Sequence, residues 1–253
     1  MVARGRPTPQ PDAGERPFFR DRTPEEVRRA DINPYFLEHR DYGPPLVTAE
    51  TAWTFRGRWD ECFARKAPLH VEIGSGNGFF LAAFAGLHPE FNVLGIEIRY
   101  KRTVLCAKKI DRAGADNARI ARYHAAFLDD LFEDASIAGL YINHPDPWPK
   151  ERHEKNRLIS RWFLEDLSRL LQDGAVIRLK SDHVPNITRL QEVLTHGPQG
   201  EPLPPLPFDV TGKSLDVTRG EAPWPDDIET NYQSKFRKRG EPVHAIELVR
   251  RAR

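Results

Sequence analysis

At 253 residues, 39% hydrophobic and 30% charged, the chain is long enough for one sizeable domain with decoration and apolar enough to pack a core. Its 38 Lys+Arg stand against 37 Asp+Glu, a net charge of +1, so a nucleic-acid footprint must be local rather than global. Two cysteines, Cys62 and Cys106, exclude a disulfide scaffold and a four-cysteine zinc site, and the longest apolar run, Phe79 to Leu87, is too short to span a bilayer.

The opening residues, MVARGRPTPQPDAGERP, lack the apolar centre of a signal peptide, so the expected location is the cytoplasm, away from any membrane. Up to about Arg29 the chain is rich in Pro, Arg, Glu and Gly and buries too little apolar surface to offset its ordering entropy. Residues 1–45 are therefore expected to form an arm, flexible in part, with 46–253 as one domain. Aromatics rise from Asn33 to Trp59, which predicts a segment packed on the main body.

Regular alternation starts at Leu69. Leu69 to Ile73 reads as a strand entering the turn Gly74-Ser75-Gly76-Asn77-Gly78, followed by a buried helix from Phe79 to Leu87. Asn92 to Glu97 is a second strand. Tyr100 to Ala113 is an amphipathic helix stopped by Gly114. Strands are predicted at Arg119–His124, Ile137–Ile142 and Ala175–Lys180, helices at Leu158–Leu171 and Val184–Leu194, and a closing strand at Val243–Val249. Strands separated by helices of this length predict right-handed βαβ units, hence an α/β fold with a mainly parallel twisted sheet and helices on both faces. Gly197 to Pro207 reads as a Pro- and Gly-rich connection.

Three glycines directly after the first strand allow φ > 0 and close backbone approach to a ligand. Glu97 ends the next strand, near the placement about 20 residues on that suits a carboxylate accepting from a ribose diol. The spacing is G-x-G-x-G rather than the dinucleotide G-x-G-x-x-G, and Glu72 stands at the end of the first strand. A carboxylate there repels a pyrophosphate and suits a cation, which favours S-adenosylmethionine over a nicotinamide dinucleotide.

After the fourth strand comes Asn143-His144-Pro145-Asp146-Pro147-Trp148-Pro149-Lys150. Three prolines stiffen the backbone around Asp146 at the carboxyl end of a strand, where open α/β sheets bind ligands. This run, continued by Arg152-His153-Glu154-Lys155-Asn156-Arg157-Leu158, resembles the signature of the bacterial tRNA (guanine-N7)-methyltransferases. Glu72-Ile73-Gly74-x-Gly76-x-Gly78, Gly95-Ile96-Glu97, Ser181-Asp182 and Thr230-x-Tyr232-x-x-Lys235-Phe236-x-x-x-Gly240 recur in the family's order, over about Leu69 to Leu248.

The resemblance implies a Rossmann-like class I methyltransferase domain, S-adenosyl-L-methionine as donor, and methylation of N7 of guanine 46 in the tRNA variable loop. By position it implies cofactor binding at Glu72, Gly74, Gly76, Gly78, Glu97, Ala125 and Asp146. Asp146 takes the role of active-site carboxylate, and Lys150, Asp182, Thr230 and Gln233 that of substrate contacts. Four positions depart from the family pattern. Ala125 stands where an Asp or Asn is usual, Gln233 stands where the late Thr-x-x-Glu has its carboxylate, and Asn143-His144 replaces an apolar–aromatic pair.

Guanine N7 carries no proton at neutral pH, so its methylation needs positioning and charge stabilisation, not a general base. Basic residues crowd the motifs at Lys150, Arg152, Lys155, Arg157 and Arg161, at Lys235 to Arg239 and at the tail Arg250-Arg251-Ala252-Arg253, which predicts a phosphate track for tRNA; Trp148 is a candidate for base stacking. No H-E-x-x-H occurs, and no metal is expected. A monomer or homodimer is expected. Two alternatives stand beside this reading. One is a noncatalytic or altered-specificity RNA-binding relative in which Ala125 and Gln233 record lost affinity. The other is a different nucleobase methyltransferase, given the distant likeness of Asn143 to Trp148 to an Asn/Asp-Pro-Pro-Tyr/Trp loop.

Overall fold

A computed structural model describes residues 35–148, 157–220 and 222–252. The expected flexible arm up to residue 34 and the motif positions 149–156, Lys150 among them, lie outside the described residues. The chain divides into two compact units; in the described residues they are 68–73 with 132–252, and 35–67 with 74–131.

The first unit is a five-stranded array. β2 (Leu69–Ile73), β5 (Ile137–Asn143) and β6 (Leu171–Ser181) run parallel, while β8 (His244–Arg250) returns antiparallel to β6 and β7 (Phe208–Ser214) antiparallel to β8. All five residues of β2 are buried, as a parallel strand covered on both faces requires. Gly139 of β5 lies opposite His70, and a Cβ there would stand 2.6 Å from the His70 ring, so only glycine lets the pair close. Helix α6 (Arg161–Leu170) starts three residues later than expected because Ser160 caps it, accepting from the Phe163 N–H at 3.4 Å. Helix α7 (Val184–Glu192) follows β6.

Two elements here were not predicted. β7 has only Phe208 buried, and it forms because β8 offers it an antiparallel ladder, broken by a bulge between Val210 and Gly212, not because its own side chains demand one. Helix α8 (Asn231–Arg239) is capped by Thr230, whose Oγ1 accepts from the Gln233 N–H at 3.0 Å, and stops at Gly240 with φ of 71°. The Thr-x-x-Gln box and the terminal glycine were readable signals for it. A small apolar cluster of Val217, Trp224, Val243 and Ala245, with Phe236 of α8 against it, seats this helix.

In the second unit β1 (Leu46–Val47), β4 (Ala118–Arg122) and β3 (Asn92–Glu97) pair in parallel in that order. The helices α4 (Phe79–Leu87) and α5 (Tyr100–Ala113) have the bounds their periodicity predicts. β4 ends two residues early, because the His124 ring accepts the Ala126 N–H and opens a 3-10 helix, Ala125–Asp130. The predicted packing of the segment before Leu69 is present. In helix α1 (Tyr35–Asp41), Phe36 and His39 meet Tyr100 of α5 edge-on; short helices α2 (Ala49–Ala52) and α3 (Trp59–Phe63) follow, and Trp59 Nε1 donates to the Leu131 carbonyl.

Candidate active site

The glycine turn is built around one carboxylate. Gly74, Gly76 and Gly78 all have positive φ, 74°, 54° and 75°, which a Cβ-bearing residue adopts only with strain. A Cβ on Gly78 would stand 2.5 Å from Cys106 Sγ, so this glycine lets the turn press on α5; a Cβ on Gly74 would meet nothing within 4 Å, which leaves bare backbone facing open space. Glu97, at the end of β3, accepts three backbone N–H groups: Gly76 on Oε2 at 3.1 Å, and Ile98 and Arg99 on Oε1 at 2.9 and 3.0 Å. These are charge-assisted bonds, and they fix both the turn and the carboxylate. One acceptor position of the roughly four on a carboxylate remains for a ligand. Ala125 begins the 3-10 helix after β4 and brings only its main chain.

In the other unit Glu72 lies in β2 at 2% exposure, with Asn143 Nδ2 donating to its Oε1 at 3.1 Å. Asn143 pairs in register with Lys180, so the parallel ladder brings the segments after β5 and β6 side by side. The His144 N–H extends that ladder to the Lys180 carbonyl at 2.8 Å. His144 and Trp148 have φ of 51° and 38°, uncommon for residues other than glycine, and they bracket the stiff Pro145-Asp146-Pro147 run. Asp146 is exposed. Asn186 of α7 donates to both the Pro145 carbonyl, at 3.2 Å, and Ser181 Oγ, at 3.0 Å, which tethers the Asp146 loop.

Asp182 and Thr230, predicted as substrate contacts, are joined through a residue with no predicted role. His144 Nδ1 is 3.2 Å from Asp182 Oδ1, and its Nε2 is 3.0 Å from Thr230 Oγ1. The hydrogen bond from His144 is the main cause holding the Asp182 carboxyl below the usual range, against partial burial. Gln233 is turned inward. Its Oε1 accepts from Lys180 Nζ at 2.9 Å and its Nε2 reaches the Val217 carbonyl at 3.4 Å, so both ends of the amide are engaged within the protein. Lys180, 2% exposed, has three donors and three acceptors: Gln233 Oε1, the Ile228 carbonyl at 2.9 Å and Asp227 Oδ1 at 2.5 Å. Burial lowers its pKa, and Asp227 opposes that shift. Lys180 and His144 escaped the motif reading because their signal is burial, which spacing does not show.

The basic track needs correction at two positions. Arg161 is buried, bonded to Glu165 and to the carbonyls of Val193, Leu194 and Pro204, and Arg250 is buried against Asp173 and the Ser168 carbonyl. Both cap carbonyls and serve the fold. Lys235, Arg237, Lys238 and Arg239 are exposed, with Arg237 paired to Glu229 at 2.7 Å.

Among the described residues, mostly parallel strands alternating with helices, with a glycine turn after β2 and a locked carboxylate at the end of β3, define a Rossmann-like methyltransferase. The solved structure of the aminoglycoside resistance methyltransferase NpmB1 has this fold at 15% sequence identity, covering 77% of this chain and 93% of its own with a TM-score of 0.50. A family described as putative methyltransferase matches residues 66–205. Curated tRNA (guanine-N(7)-)-methyltransferases align over most of the chain. The Limosilactobacillus reuteri protein is 32% identical over 217 residues, 83% of this chain and 97% of the relative, and the Geobacillus kaustophilus protein is 36% identical over 197 residues, 78% and 86%. The chain belongs to the tRNA (guanine-N7)-methyltransferase family.

Proposed function

We propose that this protein transfers the methyl group of S-adenosylmethionine to N7 of guanine 46 in the variable loop of tRNA, in the cytoplasm. The observation that carries the reading is the Pro145-Asp146-Pro147-Trp148 run at the carboxyl end of β5, tethered by Asn186, in a chain a third identical to curated enzymes of that name.

The residues present fit the cofactor. The bare face of Gly74 accommodates a close ligand, Glu97 keeps one acceptor position for a ribose hydroxyl, and buried Glu72 supplies negative charge for a cation. Gly76 and Gly78 shape the same turn, and Ala125 offers main chain at the adenine end. S-adenosylmethionine supplies a methyl group made electrophilic by its sulfonium.

The chain's own work is orientation. Asp146 accepts from the N–H edge of guanine and faces the positive charge that develops on the purine, Lys150 contacts O6 or a phosphate, and Asp182 and Thr230 bind the acceptor. Gln233 acts from inside, through Lys180 and Thr230. Lys235, Lys238 and Arg239 meet tRNA phosphates, which makes binding salt-sensitive. The test is methyl transfer from labelled S-adenosylmethionine to bulk tRNA, followed by nucleoside analysis. 7-Methylguanosine is the expected product. Cofactor binding without methylated tRNA would instead mark a noncatalytic relative.

A further inference from the structure

With its ring uncharged, His144 leaves the hydrogen bonds around it a single arrangement. Asp182 is charged and only accepts, so the Nδ1 that faces it carries a proton. In the uncharged ring Nε2 is then a bare acceptor. Thr230 Oγ1, 3.0 Å away, has a single proton, and it already accepts the Gln233 N–H as the cap of α8. The Thr230 proton therefore points to His144 Nε2. Every donor in the triad is used internally, and Asp182 and Thr230 are left with lone pairs alone.

We infer that His144 is a positioning residue that sets the polarity of the acceptor side. It aims Asp182 and turns the Thr230 proton inward, so that both groups offer a substrate acceptors and no donor. This rests on the proposed methyltransferase reading and deepens it. The base that suits such a pair presents N–H groups at its edge, as guanine does with N1–H and its amino group, whereas adenine presents a bare N1. The side chain of His144 is 5% exposed and that of Asp182 38%, so the histidine is out of substrate's reach while the carboxylate is within it. The ring is held by Tyr232 and Phe236 of α8, at centroid distances of 5.5 and 5.7 Å, and its backbone φ of 51° is held by the ladder bond to Lys180. The titratable groups around it are Asp182 at Nδ1, on which His183 also acts, and Lys180, whose carbonyl accepts the His144 N–H and whose ammonium pairs with Asp227.

The test has two arms on the full-length protein. Long-range ¹H–¹⁵N spectra in mildly alkaline buffer, with the His144 signal identified by its loss in His144→Phe, are expected to show the Nδ1–H tautomer, which is the minor form of free imidazole. An Nε2–H ring overturns the inference whether or not the protein methylates tRNA, and absence of 7-methylguanosine with an Nδ1–H ring overturns the functional reading alone. In the kinetic arm His144→Phe keeps the aromatic packing but frees the Thr230 proton. The expected result is a KM for tRNA raised about tenfold, the size of one lost charged hydrogen bond, with kcat and cofactor affinity within about twofold of the parent. His144→Gln restores a donor for Asp182 and an acceptor for Thr230, and is expected to recover part of the loss. A Phe variant with unchanged KM, or one whose loss falls on cofactor affinity, overturns the assignment.

Discussion

Replacing Glu97 with glutamine is the sharpest perturbation of the cofactor turn. The carboxylate accepts two N–H groups on Oε1, from Ile98 and Arg99, and one on Oε2, from Gly76. A glutamine keeps its single carbonyl where it satisfies more donors, on the Ile98–Arg99 side. Its NH₂ then faces the Gly76 N–H, donor against donor. One unsatisfied, partly buried donor costs about 1–3 kcal/mol, equivalent to roughly 5- to 150-fold in affinity if the turn must be ordered for the ligand to bind. Titration calorimetry with S-adenosylmethionine is expected to show a dissociation constant raised within that range, and chemical denaturation a modest loss of stability. Glu97→Ala leaves all three N–H groups without their acceptor and is expected to cost more stability than the glutamine. An unchanged dissociation constant in Glu97→Gln, or an alanine variant as stable as the glutamine one, would falsify the argument that this carboxylate scaffolds the turn.

Three further outcomes follow from the packing. His39 is buried with no hydrogen-bond partner for Nε2, and burial chiefly, with the Arg122 charge adding and Glu50 opposing, lowers its pKa to about 4. Its folded pKa is depressed below the ordinary value, so its contribution to stability is present above about pH 6.5 and lost as pH falls through about 4, up to roughly 3 kcal/mol. His39→Phe is expected to flatten the acid limb of a urea-midpoint profile. Lys180→Met leaves Asp227, the Ile228 carbonyl and Gln233 Oε1 without their shared cation, and is expected to cost about 3–5 kcal/mol by denaturant unfolding. Gly74→Ala and Gly78→Ala separate conformation from packing. Both pay about 1–2 kcal/mol for a left-handed backbone, but only at Gly78 does the new Cβ collide with Cys106, so a thermal melt that ranks Gly74→Ala as the more damaging variant refutes the packing assigned to the turn.

β2, α4, β3 and α5 were legible to the residue because their signals are local. Apolar runs, the positive-φ glycines Gly74, Gly78 and Gly114, Pro89 after α4 and a 3.6-residue stripe in α5 fix the ends within a few residues of chain. The proposed site residues Glu72, Glu97, Asp146 and Asp182 were legible as types at or just after the ends of strands, where such a sheet exposes its groups, and Thr230 as a helix cap. What those groups are bonded to was not. β7 exists through the partner strand that returns beside it, Arg161 and Arg250 read as surface charges until carbonyls from distant segments close on them, and Gln233 read as a substrate contact while its amide serves a buried ammonium. His144 acquires its two partners from residues 38 and 86 positions along the chain. Local pattern decides which residues a strand or helix contains, since propensity and periodicity act over a few residues. Burial and hydrogen-bond partnership are set by which segments the sheet order brings together, and only the closed tertiary structure decides that.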